Sequence, residues 1–435
     1  MKNLRWLIPA ALLLATLTWL AIQEQRKPTT IVNPADYATY LVPDHLAKAK
    51  AEIGIEKAFW QKKLTTDPDN YIYLTKKASL LSQEFKLTGD VAYLHQSDQI
   101  LKDINTRIPN QVKVLHLLAN NAITQHQFQK AEDYLVQAKA IGNERYTTML
   151  MMCDVRLERG QHILAQDLLD NMESRSQFEF LIRQMKYEDA SDNLSGAIQA
   201  MEKATQKAQR SGKKALINWS YSNLADMYGH DGRIQQSYDT YLQALANDPA
   251  DLHSLKGIAW VAFSYEQDTE EAKRILEFLK SVHPIPDYDL LLAEIADFEG
   301  DQEQADACRA AFYLEAGKPE YGKMYTTYLA ELDRTEIDVL ALVEEDVRDR
   351  PHPVIFDLKA WTLFRKGNQQ AAIDLWEQEV AEQTGEPITA YHAGVMYGAL
   401  GEKQKARKYL REARAASFEL GPVISAEVEQ YLRAL

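Results

Sequence analysis

From Leu46 to the C-terminus, apolar residues recur at intervals of three and four, as at Leu115, Leu118, Ala119 and Ala122. The alternation of Val, Ile and Thr that marks half-buried strands is absent. The pattern predicts an all-α chain. Ahead of it lies an uncharged run of 17 residues, Trp6 to Ile22, preceded by Lys2 and Arg5 and followed by Glu24, Arg26 and Lys27. As a helix it would span about 26 Å, slightly less than the roughly 30 Å hydrocarbon core of a bilayer. A cleaved secretory signal has the same order of basic and apolar residues, but a cut after Ala21 would place Trp19 where a small residue is needed. Residues 1–27 are therefore expected to be a transmembrane anchor, with a signal segment as the alternative. A short N-terminal tail ahead of a first span stays inside. The expected location is thus a single-pass membrane protein whose folded part is extracytoplasmic, periplasmic in a bacterium. Residues 28–45 carry Pro28, Pro34 and Pro43 among polar residues and read as a linker.

The helical region repeats. In Asn218 to Asp251, Tyr221, Leu224, Ala225 and Tyr228 mark one helix, Gly232 a turn, Ser237, Tyr241 and Ala244 a second helix, and Pro249 the exit. The small residue that opens the second helix recurs at Ser97, Ala131, Ala165, Ala197, Ser237, Ala272, Ala305, Ala372 and Ala406, with successive spacings of 34, 34, 32, 40, 35, 33, 67 and 34. The gap of 67 predicts a degenerate unit over about Glu320 to Asp349. Gly160, Gly232, Gly300, Gly367 and Gly401 each precede the small residue by five positions, where a turn needs a permissive backbone.

These residues and this period resemble the tetratricopeptide repeat. The resemblance covers about four fifths of the chain and is strongest over Asn218–Asp251 and Pro387–Ala415. It implies about ten helix-turn-helix units stacked into a right-handed α-solenoid over residues 46–435, with capping helices at Leu46–Leu64 and Ile424–Leu435. A hinge is expected at 313–350, where the motif fades and Glu344, Glu345 and Asp346 gather. Length alone, 435 residues, would have suggested about three domains.

Composition narrows the chemistry. Two cysteines, Cys153 and Cys308, cannot supply a disulfide framework or a thiolate zinc site. A net charge of -14, from 49 Lys and Arg against 63 Asp and Glu, argues against a surface that neutralises nucleic-acid phosphates. One exception is a local basic cluster, Lys203, Lys207, Arg210, Lys213 and Lys214, in the 40-residue unit. No phosphate loop, nucleophile elbow, HExxH or paired-cysteine motif occurs, and the ten histidines are scattered singly. No catalytic residue, metal or cofactor is expected.

The resemblance further implies a concave groove lined by first helices and a protein or peptide partner in it. Carrying the family's groove positions over gives Trp219, Asp226, His253, Lys256, Trp260 and Phe263 as candidate contacts, with Asp357, Trp361 and Phe364 further along. Asn223 and Lys256 match two places of the clamp by which some members hold a terminal carboxylate, but Trp219 and Gly257 stand where polar residues are required, so no clamp is expected. The leading expectation is a non-enzymatic, membrane-anchored interaction scaffold. The alternatives are a solenoid enzyme acting on an envelope polymer through one desolvated carboxylate, such as Asp226 or Glu294, and a secreted soluble binder.

Overall fold

A computed structural model describes residues 30–332 and 338–435 of the chain. A short helix α1 (Pro34–Tyr37) leads into α2 (Pro43–Thr66). Ten helix pairs follow among the described residues. The first five are α3 (Tyr71–Thr88) with α4 (Val91–Arg107), α5 (Val112–Thr124) with α6 (Phe128–Ile141), α7 (Arg145–Glu158) with α8 (His162–Asp170), α9 (Phe178–Ala190) with α10 (Leu194–Ser211), and α11 (Lys214–His230) with α12 (Ile234–Asn247). Next come α13 (Leu252–Trp260), continued by a π-turn at Val261–Glu266, with α14 (Thr269–Val282), and α15 (Asp287–Glu299) with α16 (Gln302–Ala316). The last three are α17 (Thr326–Leu332) with α18 (Val339–Asp349), α19 (Pro353–Arg365) with α20 (Gln369–Glu379), and α21 (Pro387–Ala399) with α22 (Lys403–Ala415). A terminal helix α23 (Ser417–Ala434) closes the chain.

The starts of these helices are written locally. Asn70, Asp90, Asp251, Asp268, Asp301 and Asp338 each accept a hydrogen bond from a backbone N–H of the first turn that would otherwise lack a partner. The small residues that set the repeat phase are all 1% exposed or less, so second helices press on first helices at those points. Apolar packing is distributed along the chain as successive local clusters, as expected when each pair buries its face mainly against its neighbours. First helices of adjacent pairs also pack on each other, α7 on α9, α11 on α13 and α19 on α21, with no comparable packing between second helices among the described residues. First helices therefore line the inner side of the curve.

The solenoid is wound tightly enough that its turns touch. Turns within early pairs dock on connections between late ones. Phe128 and Gln129 at the start of α6 donate backbone N–H bonds to the Asp349 carboxylate at 3.0 Å, and Arg159 Nε donates to the Asp349 carbonyl at 3.0 Å. Gly160 adopts φ +66°, and a Cβ there would lie 2.9 Å from the Pro351 carbonyl. That glycine meets two demands at once, a left-handed turn and close contact across the seam. The expected hinge at 313–350 is held by the same seam, outside the undescribed 333–337. Phe312, Tyr321 and Tyr325 pack with Val91 and Phe85 of the first pair, and a ring nitrogen of His95 lies 2.6 Å from the Glu320 carbonyl. The acidic residues there are neutralised locally: Glu344 pairs with Lys359, Glu345 with Lys323 and Asp346 with Arg350.

Two expectations about the N-terminal region change. The stretch expected as a linker is, from Ile31 to Tyr40, packed on the outer side. Tyr37 is fully buried, Tyr238 Oη donates to the Asn33 carbonyl, and the Tyr37 hydroxyl donates to Glu271. The expected anchor, residues 1–27, lies outside the described residues. The expected single-pass membrane location is corrected: among the described residues no helix is long and apolar enough to cross a membrane. Even the 24-residue α2 carries Lys48, Lys50, Glu52, Glu56 and Lys57 along its length, whose burial in hydrocarbon would be costly.

Candidate functional site

Of the six groove residues expected from sequence, the structure leaves four on an open strip of the inner wall and withdraws two. Trp219 on α11 is 36% exposed and meets the half-buried Phe178 of α9 edge to face, with centroids 6.2 Å apart. One and a half to two turns further along α11, Asp226 is gripped from two sides. Its Oδ1 accepts a hydrogen bond from Tyr241 Oη of α12, and its Oδ2 lies 2.8 Å from Nε2 of His253, the second residue of α13. Burial pulls the His253 imidazole down, but the hydrogen bond and charge of Asp226, with Asp251 behind it, prevail and hold its pKa above the usual histidine range. Lys256 stands less than one turn beyond on the same helix and forms no ion pair among the described residues. Trp219, the Asp226–His253 pair and Lys256 thus offer an aromatic face, a carboxylate and cations on adjacent first helices.

Trp260 and Phe263 do not join that strip. Phe263 is 1% exposed and packs between Trp260 and Phe298. Trp260 Nε1 donates to the Phe418 carbonyl at 3.1 Å, and Ser264 Oγ donates to the same oxygen at 2.6 Å. The terminal helix α23 is seated against this end of the groove, against α11, the π-turn and α15. The C-terminal segment, expected as a cap, therefore also fills groove that the repeat pattern left open. Its approach depends on Gly421, whose backbone (φ 75°, ψ 169°) bends α23 so that its Cα sits against Trp260 and Glu294.

The two carboxylates considered for catalysis separate. Asp226 has both carboxylate oxygens engaged, by Tyr241 and by His253. Glu294 lies under Gly421, and its Oε1 is buried without a hydrogen-bond partner. Burial first, and then the charge of Asp297, push its pKa up to about 7. A carboxyl that is more basic when folded than unfolded binds its proton more tightly in the native state, so its contribution to stability is lost as pH rises from about 4.5 to 7. Glu294→Gln is expected to raise stability by about 2 kcal/mol at pH 8, after allowance for solvent relaxation, and to change it little near pH 5. Denaturant melts at the two pH values check this; equal effects at both would overturn it.

Further along, Asp357 and Trp361 are structural. Asp357 accepts from Trp376 Nε1 at 3.0 Å and faces His392 at 2.7 Å, while Trp361 stacks on His392 with centroids 4.2 Å apart. Among the described residues no group of three or more His, Cys, Asp or Glu is placed to hold a metal ion.

Sequence reasoning had no sight of a cavity of 410 Å³ at the seam, where Asp189, Asp192 and His230 of the early pairs face Glu386 and Glu419 of the late ones. Burial, before mutual repulsion, pushes Asp189, Glu386 and Glu419 upward. These residues are up to about 230 positions apart and share no sequence pattern.

No family model matches the chain, and no curated protein matches it. Solved structures similar in fold include a tetratricopeptide repeat protein from Parabacteroides merdae, 15% identical, covering 59% of this chain and 97% of that one, with a TM-score of 0.35. Yeast Tom70 is 12% identical over 92% of this chain and 96% of its own, with a TM-score of 0.34. A monomeric mutant of IFIT1 with m7Gppp-AAAA is 14% identical over 77% and 76%, with a TM-score of 0.45.

Proposed function

We propose that this tetratricopeptide-type solenoid is an interaction scaffold that holds a peptide segment of a protein partner on the inner wall formed by α11 and α13. The observation that carries the reading is the open strip of Trp219, Asp226, His253 and Lys256. A large ring left 36% exposed at the inner surface is an unusual use of tryptophan, and such rings supply much of the anchoring energy at interfaces. Around it the Asp226–His253 pair presents polar groups that orient a bound backbone, and Lys256 supplies a cation.

Trp219 stands apart from the packing around Trp260, so the two rings respond differently to truncation. Trp219→Ala is expected to lower the thermal transition by less than Trp260→Ala does, because part of the Trp219 ring faces solvent while Trp260 is packed and hydrogen-bonded. It should weaken a captured partner at least tenfold, a loss of about 1.4 kcal/mol or more. Partners co-purifying with the full chain supply the ligand for that titration. Unchanged affinity in Trp219→Ala together with unchanged affinity in Lys256→Ala would remove this strip from the binding site.

A further inference from the structure

The hairpin of α10 and α11 is longer than its neighbours, with 18 and 17 residues against 14 in α6 and α12 and 13 in α9 and α15. The excess of three to four residues corresponds to about 5 Å of helix. Residues 209–215 at its end are all exposed. The connection reverses at Gly212, which adopts φ +67°. This end lies on the connections between pairs, opposite the turns at 192 and 230 that dock on the seam, so it stands on a free edge of the solenoid.

That edge carries the basic cluster noted in the sequence. Lys203, Lys207 and Arg210 share one face of α10, at the i, i+4 and i+7 spacing that aligns side chains along a helix. Lys213 and Lys214 follow beyond the turn, at the start of α11. None of the five is ion-paired among the described residues, although Lys and Arg elsewhere on the array are repeatedly paired, as are Arg183 with Asp154, Lys273 with Glu299 and Arg309 with Asp297. The remainder of a chain with net charge -14 is correspondingly more acidic. Five unneutralised cations repel one another on a solvated tip, a modest cost that a partner's charge removes.

We propose that this tip docks an acidic segment of a protein partner, an extended stretch with several Asp or Glu residues. The inference rests on the reading of the chain as an interaction scaffold and names partner chemistry at a second surface. Lys203 to Arg210 covers about 10 Å of helix before the chain reverses at Gly212, matched by about three residues of extended peptide, with Lys213 and Lys214 just beyond the turn. Lys203, Lys207 and Arg210 are spread along one helix face on separate flexible stems, so a series of carboxylates fits them better than a single phosphate. A long nucleic acid or a bilayer surface would carry its charge past the tip and along a chain whose net charge is -14; a short acidic peptide would not.

The test is fluorescence anisotropy of a labelled peptide of alternating Glu and Ser against the full chain at about 50 mM and about 300 mM salt. Binding is expected at the lower salt, weakened at least tenfold by Lys207→Glu combined with Arg210→Glu and Lys213→Glu. It should be changed less than twofold by Lys403→Glu with Arg411→Glu on α22, a control for general electrostatics. Absence of binding to the wild type at low salt, or an equal loss in the α22 variant, would overturn the proposal. So would tighter tip-dependent binding of single-stranded RNA or phosphatidylserine vesicles than of the peptide. Trp219→Ala separates the two sites. Peptide binding that is lost in Trp219→Ala and kept in the tip variant assigns acidic recognition to the groove and sinks the tip, while the scaffold reading stands.

Discussion

Replacing Gly421 by Val is expected to detach α23 from the inner wall while leaving the repeats folded. At φ 75° and ψ 169° the residue occupies a region that is essentially reserved for glycine. A Cβ there would lie 2.4 Å from Glu294 Oε1 and 2.9 Å from the Trp260 indole. Pro422 follows directly and limits how the chain can swing aside. Strain and overpacking together cost about 4 kcal/mol, more than the bonds from Trp260 and Ser264 to the Phe418 carbonyl return. Hydrogen exchange should show residues 417–434 losing protection while α11 and α13 keep theirs. Trp260, freed of its cover, becomes a second exposed ring beside the open strip. Protection retained in α23 would show that the bend at Gly421 does not hold the helix in place.

Gly257→Ala is expected to destabilise the chain by about 3 kcal/mol. The two helices α12 and α13 approach so closely that a Cβ at 257 would stand 2.2 Å from Tyr241 Cζ and 2.6 Å from its hydroxyl. Tyr241 is buried and has little room to turn, and its hydroxyl is committed to Asp226. Displacing the ring therefore reaches the candidate site. With Asp226 no longer held in place, His253 loses the interaction that raises its pKa, and its titration should fall toward or below the ordinary histidine value. Thermal unfolding and a proton NMR titration of His253 measure the two consequences. A normal melting curve with an unmoved His253 titration would show that the interhelical gap can open without cost. The residue that spoils a carboxylate clamp at position 257 is thus explained by packing: only a hydrogen fits against Tyr241.

Much of the architecture was legible because repeats obey local rules. The spacing of Ser97, Ala131, Ala165 and their successors predicts a series of helix pairs, and each of those residues is buried in the structure. The interval of 67 correctly implies an extra pair, now seen as α17 and α18. The site was less legible. Trp219, Asp226, His253 and Lys256 can be placed on first helices from the period alone, but exposure cannot. Trp260 occupies an equivalent helical face, yet it is covered by a segment 158 residues away. Residues 31–40 of the expected linker show the same limit: the prolines predict no regular helix, but nothing local reveals that Tyr37 inserts beside Tyr238 and Glu271.

The sequence by itself determined the helices, their pairing, the turn positions and the side of each pair that faces inward. All depend on contacts between residues within about one repeat of each other, where periodicity carries the physics. Tertiary structure alone decided how the solenoid closes. Its pitch is the accumulated result of small rotations between successive pairs, so no single residue encodes it. Yet that pitch brings Gly160 to Pro351, Asp189 toward Glu386 and Trp260 to Phe418. It thereby determines which part of the inner wall stays open to a partner, and which edge leaves the basic cluster from Lys203 to Lys214 facing solvent.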